Sequence, residues 1–460
     1  MMKIDDTIAA IATPYGEGGI GIIRISGQNA KAILESIFVP AGKFAKMDNR
    51  KLTYGFVKDP EKNETIDEVM AVFMKSPFTY TCEDVAEIDC HGSVVSLKKT
   101  LELVLRSGAR PAEMGEFTKR AFLNGRLDLS QAEAVMDVVS AKTEKSFDVA
   151  FEQLEGRIAR EMEPLKKKIL DLLAELSVNI DYPDEDTEEM TYKKLIEELD
   201  RIRSMTDNLL ASADEGRMLR EGINCVIIGK PNVGKSSLMN ALLKESRAIV
   251  TNIPGTTRDT IEEMLNIRGI PVKLTDTAGI HETEDAVEKM GILKSKASFN
   301  SADLVIFMLD KSSPLDDADR ELTKMAGSKK MLVLLNKTDL KSVIEKETAE
   351  KLLPGAKVIE TSMQTREGVE AIENCIVEMV HGGQLKQENS IIITNVRHKD
   401  LLERARSAIN DARLAAESGE ALDFAEMDVN RAYQAICDIT GDEVSDDILN
   451  EVFARFCLGK

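Results

Sequence analysis

The segment GKPNVGKSS (229–237) sets two glycines with four residues between them, followed at once by a lysine and two serines. It comes after the apolar run INCVII and before the helix-like LMNALLKE. In that context GxxxxGK[ST] is a phosphate cradle, because successive backbone N–H groups and a helix N-terminus converge on one anion. Lys235 supplies a charge for the β- and γ-phosphates, and the Ser236 hydroxyl is a ligand for Mg²⁺. NKTD (336–339) ends another apolar run, at the strand edge where doubly wound sheets bind ligands. The Asp339 carboxylate can accept from both N1–H and the 2-amino group of guanine, whereas adenine offers neither donor in that arrangement. Asn336 can bond the base edge, and the Lys337 stem can cover its face. In ETSM (360–363), Ser362 and the Met363 N–H are placed to reach the guanine O6.

Two further stretches lie between these motifs. In AIVTNIPGTTRD (248–259), Thr257 is the expected second Mg²⁺ hydroxyl, completed only when a γ-phosphate is present. In DTAG (276–279), Asp276 steers the same ion. The expected GTP-binding set is therefore Asn232, Val233, Gly234, Lys235, Ser236 and Ser237, then Thr251, Asn252, Ile253, Pro254, Gly255, Thr256 and Thr257. Asp276, Thr277, Ala278 and Gly279 follow, with Asn336, Lys337, Asp339, Ser362 and Met363 at the base. The residue after Gly279 is Ile280, where Ras-like enzymes carry the Gln that orients the attacking water. An alkyl group orients nothing, so hydrolysis needs another device.

The elements that must position these residues fall into four zones. Residues 1–123 alternate short β-like runs (GIGIIRISG, DEVMAVFMK, DVAEIDCHG) with the helix-like VVSLKKTLELVLRSG, which predicts an α+β domain. Residues 124–221 are helical. Phe147, Phe151, Leu154, Ile158, Met162, Leu165, Ile169, Leu172 and Leu176 recur every three or four residues, the period of one buried helix face and of a long rigid arm. In residues 222–381 near-continuous Val/Ile/Leu runs (INCVIIG, VKLTD, DLVIFMLD, KMLVLLNKTD, AKVIETS) alternate with helical stretches. Such runs fit strands buried on both faces of a largely parallel sheet. Helices return in 382–460. The expected fold is multidomain: an N-terminal α+β domain, and a discontinuous helical bundle into which a Ras-like doubly wound α/β G domain is inserted.

At 460 residues the chain is too long for one core. No apolar run approaches the ~20 residues of a membrane helix, and MMKIDDTIAAIATP lacks the basic and apolar regions of a secretory signal. Six scattered cysteines without CxxC, and four histidines without HxxxH, argue against structural zinc and fit a reducing cytoplasm. The net charge of −20, with acid-rich DYPDEDTEE and GDEVSDD, is the reverse of a basic nucleic-acid stripe. Any RNA handled by this chain is expected to be held mainly through a more basic partner.

The flanks carry signatures of their own: DTIAAIATPYGEGGIGIIRISG near the start, GEFTKRAFLNGRLDLSQAEA at 115–134, and the terminal FCLGK. With the nucleotide motifs, and with a hydrophobic residue after DTAG, the whole chain resembles the bacterial tRNA modification GTPase family often called MnmE or TrmE. The resemblance implies a potassium-dependent G-domain dimer, with K⁺ held by the Asn232 side chain and the carbonyls of Thr251, Ile253 and Thr256. That cation would neutralise transition-state charge as an arginine finger does. Glu288 would orient water through a bridging water molecule. The resemblance also implies an N-terminal domain of tetrahydrofolate-binding type that forms a constitutive homodimer. Arg24, Glu87, Arg126 and Lys460 would bind a 5-formyl- or 5,10-methylene-tetrahydrofolate, and Cys457 is a candidate in the one-carbon chemistry. With an FAD- and NADH-dependent partner, the family adds a (carboxymethyl)aminomethyl group at C5 of the wobble uridine. Three departures stand out: Arg126 where relatives often have Lys, Met114 for a usual Pro, and Met363 for a usual Ala. The competing expectation is a GTPase switch of ribosome assembly or signalling, without modification chemistry.

Overall fold

The computed structural model describes residues 6–42, 47–181, 191–245, 262–276, 299–326, 329–380 and 393–460. Close packing divides the chain into two compact units, one of residues 1–136, 153–163 and 434–460, the other of 137–152 and 164–433.

The first unit is built on strands β1 (Ile8–Ile11), β2 (Ile20–Ser26), β3 (Phe38–Pro40), β4 (Thr53–Asp59), β5 (Glu64–Met74), β6 (Val85–His91) and β7 (Arg110–Pro111). They form one sheet in the order β3-β4-β5-β6-β2-β1-β7, antiparallel except for β1 with β7. Helices α1 (Ala30–Ile37) and α2 (Val94–Arg106) cover one face, packing Ile33, Leu34, Leu97 and Val104 on Ile23, Ile25, Ala86 and Ile88. Those strand residues alternate, so their neighbours Arg24 and Glu87 stand on the opposite face, directly paired in register. Helix α3 (Glu116–Leu123) and the first part of α4 (Leu129–Ser140) share a second core with the chain's last residues: Ala121, Leu129 and Ala132 pack with Leu449, Val452, Phe453 and Phe456.

A buried guanidinium joins these parts. Arg120, 1% exposed on α3, donates to the Asp6 carboxylate and carbonyl (2.6 and 2.9 Å), to Glu116 (2.9 Å) and to Glu83 (3.2 Å). Arg110 forks onto Glu116 at 2.6 and 2.9 Å. Burial pushes the Glu116 carboxyl up, but Arg110, the Glu113 N–H and Arg120 outweigh it and hold it below the ordinary 4.5.

The second unit holds α5 (Glu144–Leu154) up to residue 152, most of α6 (Arg157–Asp181), α7 (Tyr192–Leu210) and α8 (Ala213–Glu221), then an α/β domain. That domain comprises β8 (Ile223–Ile228), α9 (Lys235–Glu245), β9 (Glu262–Ile267), β10 (Ile270–Asp276), β11 (Leu304–Asp310), α10 (Asp317–Ala326), β12 (Met331–Asn336), α11 (Lys346–Leu352), β13 (Lys357–Glu360) and α12 (Val369–Val380). The strand order is β13-β12-β11-β8-β10-β9, parallel except for the edge strand β9. Cys225 and Ile227 of β8 face one core with α9 and α12, and Val226 and Ile228 face the other. Both faces are dry, which is why the strands read as continuous apolar runs. Strand β9 was not expected; it pairs through a two-residue turn in which Arg268 and Gly269 both take positive φ (50° and 88°), the geometry that matches hairpin twist.

Helices α13 (Val396–Glu417), α14 (Leu422–Thr440) and α15 (Asp446–Phe453) complete the chain. Helix α13 packs along α7, burying Leu401, Ala405, Ala408 and Ala412 opposite Leu195, Leu199 and Ile202, and Arg413 donates to Asp200 at 2.9 Å. Helices from both sides of the α/β domain thus share one bundle. The long apolar stripe needs one correction. It does not run on a single helix, because α5 ends at Leu154 and Gly156 takes φ 81°, so Phe147 and Phe151 stack on each other while 43% and 44% exposed.

Removing Arg120 takes the guanidinium from Glu83 and leaves Asp6 and Glu116 to Arg110. Arg120→Met is expected to lose about 3–5 kcal/mol from the first unit, read as faster amide exchange in β1, β2 and α3 than in the α/β domain. Because Glu116 is depressed, the stability it gives is complete above its ordinary 4.5 and drains away as pH falls through the lower folded value. Glu116→Gln should therefore flatten the acid limb of the same exchange profile.

Candidate functional site

The loop between β8 and α9 has the backbone of a phosphate cradle. Gly229, Asn232 and Gly234 take φ of 150°, 63° and 110°. A Cβ on Gly229 would lie 2.5 Å from the Met308 carbonyl oxygen, and one on Gly234 would lie 2.3 Å from the Asn336 amide nitrogen. Only glycine fits either place, and the curl leaves consecutive N–H groups at the start of α9 for an anion. The Lys235 ammonium donates to the carbonyls of Gly229 (2.6 Å) and Lys230 (2.9 Å), across the mouth of the same loop. Val233 is buried in the core, while Asn232, Ser236 and Ser237 are exposed.

Asn336 closes β12 and is 2% exposed. Its amide donates to the Val233 carbonyl at 2.7 Å, and its oxygen accepts from the Met363 N–H at 3.2 Å and the Thr361 hydroxyl at 3.3 Å. One buried side chain therefore ties the phosphate loop to the ETSM loop. Asn336 and the Met363 N–H, both expected at the base edge, here bond each other. The reason is burial: an amide closed off from water must find partners inside. Lys337, at φ 70°, reaches the Asp310 carboxylate at 2.6 Å, which fixes the course of its stem. Burial pushes Asp310 up, and Lys337 with Ser312 brings it below the usual carboxylate range. Asp339 is exposed and accepts from the Ser362 hydroxyl at 2.6 Å; Ser362 in turn accepts from the Thr365 N–H at 3.2 Å. The expected guanine-reading carboxylate is thus oriented by the ETSM serine.

The first unit gathers a second set. Arg24 donates to Glu87 at 2.7 Å and to the Gly459 carbonyl at 3.4 Å. Its guanidinium stands 5.8 Å from the centres of both the Tyr80 and Phe117 rings, and that of Arg126 lies 4.5 Å from the Tyr80 ring. Gly459, at φ 88°, passes β1 so closely that a Cβ would lie 2.3 Å from the Ile11 carbonyl oxygen. Two cations, a carboxylate and the chain's last residues meet at one place, a donor set that suits a ligand with amide-like donors and carboxylates. Lys460 is half-buried beside them, its N–H on the Cys457 carbonyl at 3.4 Å. The Cys457 thiol is exposed, whereas Cys90 is buried and its thiol pushed up to about 12 by burial.

Two family models match in succession. One, described as the GTP-binding protein TrmE N-terminus, covers residues 7–126; the other, the MnmE helical domain, covers residues 129–457. Curated relatives align end to end. The proteins named tRNA modification GTPase MnmE of Alkaliphilus metalliredigens and Clostridioides difficile are 53% and 50% identical, over 100% of both chains. That of Geobacillus kaustophilus is 47% identical over 99% of both.

This chain belongs to the MnmE family of tRNA modification GTPases. Family membership, the doubly wound domain and the glycine-shaped cradle agree on a guanine-nucleotide site.

Several expected members of that site, Thr251, Asn252, Ile253, Pro254, Gly255, Thr256, Thr257, Thr277, Ala278, Gly279 and Glu288, lie outside the described residues, and Asp276 is described only as the last residue of β10. Two residues that sequence reading missed are structural partners of the sites: Asp310, which holds Lys337, and Tyr80, between the two arginines. Asp310 ends an apolar strand in register with Asn336, and that pairing was the available signal.

Asn336→Ala leaves the Val233 carbonyl and the Met363 N–H without this partner, at about 1–3 kcal/mol each. Titration with a fluorescent GDP analogue should show at least a roughly tenfold weaker Kd. Unchanged affinity would mean that the bracket plays no part in holding the nucleotide.

Proposed function

We propose that this chain is a potassium-dependent GTP hydrolase acting in tRNA modification. In this reading it works with an FAD- and NADH-dependent partner to add a (carboxymethyl)aminomethyl group to C5 of the wobble uridine of certain tRNAs. The observation that carries the reading is that one chain holds both the bracketed nucleotide loop and the Arg24–Glu87–Arg126 cluster. A plain GTPase switch has no use for the second. The alignment of relatives bearing that name over the full chain supports it.

Each chain element has a defined task. Lys235, now on two loop carbonyls, transfers its ammonium to the β- and γ-phosphates, and Asp339, steadied by Ser362, accepts from the guanine N1–H and 2-amino group. Ser236 and Thr257 would hold Mg²⁺. Asn232, exposed at the tip of the loop, would hold K⁺ with the carbonyls of Thr251, Ile253 and Thr256. The cation would supply the transition-state charge compensation that Ile280 leaves unmet. Glu288 would orient the attacking water. In the first unit Glu87 would accept from pterin donors, while Arg24, Arg126 and Lys460 would pair the carboxylates of a tetrahydrofolate derivative. Assignment of 1–123 to folate binding and homodimerisation, 124–221 and 382–460 to the helical domain, and 222–381 to the G domain belongs to the same proposal. So do a cytoplasmic site of action and a contribution of Cys457 to one-carbon chemistry. No described helix is long and apolar enough to cross a membrane.

Two measurements test the proposal. GTP turnover should be faster in potassium than in sodium buffer, with the stimulation lost in Asn232→Ala and turnover depressed in Glu288→Ala; equal rates in both salts would remove the ion site. Calorimetric titration of the full chain with 5-formyltetrahydrofolate should show binding that Arg24→Ala weakens by about 10–100-fold, the scale of a charge-assisted hydrogen bond. Absence of binding to the unmutated chain would favour the switch.

A further inference from the structure

The phosphate loop is held at two points by different chemistry. Its second half is fixed by the Val233 side chain in the core and by the Asn336 amide on the Val233 carbonyl. Its first half, Gly229 and Lys230, has another anchor. The Lys230 ammonium lies 2.8 Å from the Asp316 carboxylate and 2.7 Å from that of Asp319, at the start of α10. The two acids also cap that helix reciprocally, each accepting from the other's N–H at 3.1 and 3.2 Å. Asp319 is 1% exposed, and its remaining oxygen has no hydrogen-bond partner among the described residues. With Asp319 enclosed in this way, its contact with Lys230 is not an exposed pair washed out by solvent.

The backbone of Lys230 has a second duty. Its carbonyl, with that of Gly229, holds the ammonium of Lys235, the residue that must swing to the phosphates when nucleotide arrives. Once Lys235 leaves, this half of the loop keeps the packing of Gly229 on Met308 and Val233 and the ion-paired side chain of Lys230. Without that anchor the N–H groups facing the phosphates lose their preset arrangement, and part of the binding energy goes into restoring it.

The geometry points to Lys230 as a positioning residue of the nucleotide site: its ion pair with Asp316 and Asp319 fixes the phosphate loop on α10, so that these acids, although negative, favour binding of an anionic ligand. The sign separates this role from simple electrostatics. If Lys230 acted only by its charge, removing the Asp319 charge would tighten nucleotide binding; if it acts as an anchor, the same change weakens it.

The test is GDP affinity of the full chain, measured with a fluorescent analogue, for Lys230→Met, Asp319→Asn and the double variant. Asparagine keeps an acceptor for the α10 cap while dropping the charge. Each single variant should bind about tenfold more weakly, and the double no more weakly than the worse single, because all three break one link. Turnover at saturating GTP should stay within about twofold, placing the loss in binding rather than chemistry. Lys230→Arg should restore most of the affinity. Asp316→Asn, at the exposed member, serves if Asp319→Asn does not fold and should weaken binding by about threefold. Tighter binding in either acid variant, losses that multiply in the double, or unaltered affinity in Lys230→Met would overturn the assignment.

Discussion

The nucleotide site depends on one buried amide. Asn336 sits where three things that are far apart in sequence come within hydrogen-bond range: the phosphate loop through the Val233 carbonyl, the ETSM loop through the Met363 N–H, and the end of β12 that carries it. An amide suits this position because it presents donor and acceptor side by side, and burial makes both obligatory. Backbone bonds join the ETSM loop to β12 and the turn after it, Thr361 N–H to the Leu335 carbonyl at 2.9 Å and Thr338 N–H to the Thr361 carbonyl at 3.2 Å, and Asn336 carries that order across to the phosphate loop.

The sheet makes such an arrangement affordable. Strands β8, β11 and β12 are dry on both faces and parallel, so their carboxyl ends line up along one edge. Every loop leaving that edge starts from a rigid base, and the positive φ of Asn232 and Lys337, each of order 1 kcal/mol for a residue with a Cβ, is sustained by packing beneath it. The first unit uses the opposite strategy. Its antiparallel sheet keeps one face for the core, and the alternation of β2 and β6 leaves Arg24 and Glu87 paired on the other.

What could be read in the sequence follows the reach of local rules. Glycine spacing, an apolar run before it and a helical pattern after it suffice to identify a phosphate loop, because those constraints act over a dozen residues. The α+β and α/β domains were legible for the same reason, through period-2 and continuous apolar runs. Direction was not legible. That Asn336 can bond follows from its type, but that it bonds inward follows from burial produced by strands elsewhere in the chain. The clamp on Lys230 escaped because the motif leaves that position open and its partner Asp316 lies 86 residues away. Strand β9 escaped because EEMLNI alternates weakly, and the stripe over Phe147 and Phe151 misled because helical periodicity carries on across a glycine break that ends the helix.

The first unit is assembled from separated stretches of chain, with Leu449, Val452, Phe453 and Phe456 completing the core that Ala121, Leu129 and Ala132 begin. During synthesis, the ribosome must lengthen the chain from residue 136 to residue 434 before those partners exist. At ~5–20 residues per second that interval is roughly 15–60 s. Throughout it the apolar surface of α3 and α4 stays open, while the later-made α/β domain receives its last strand, ending at Glu360, before those partners are added. Biogenesis therefore runs against chain order, with the segment that emerges first being among the last to find its full set of neighbours.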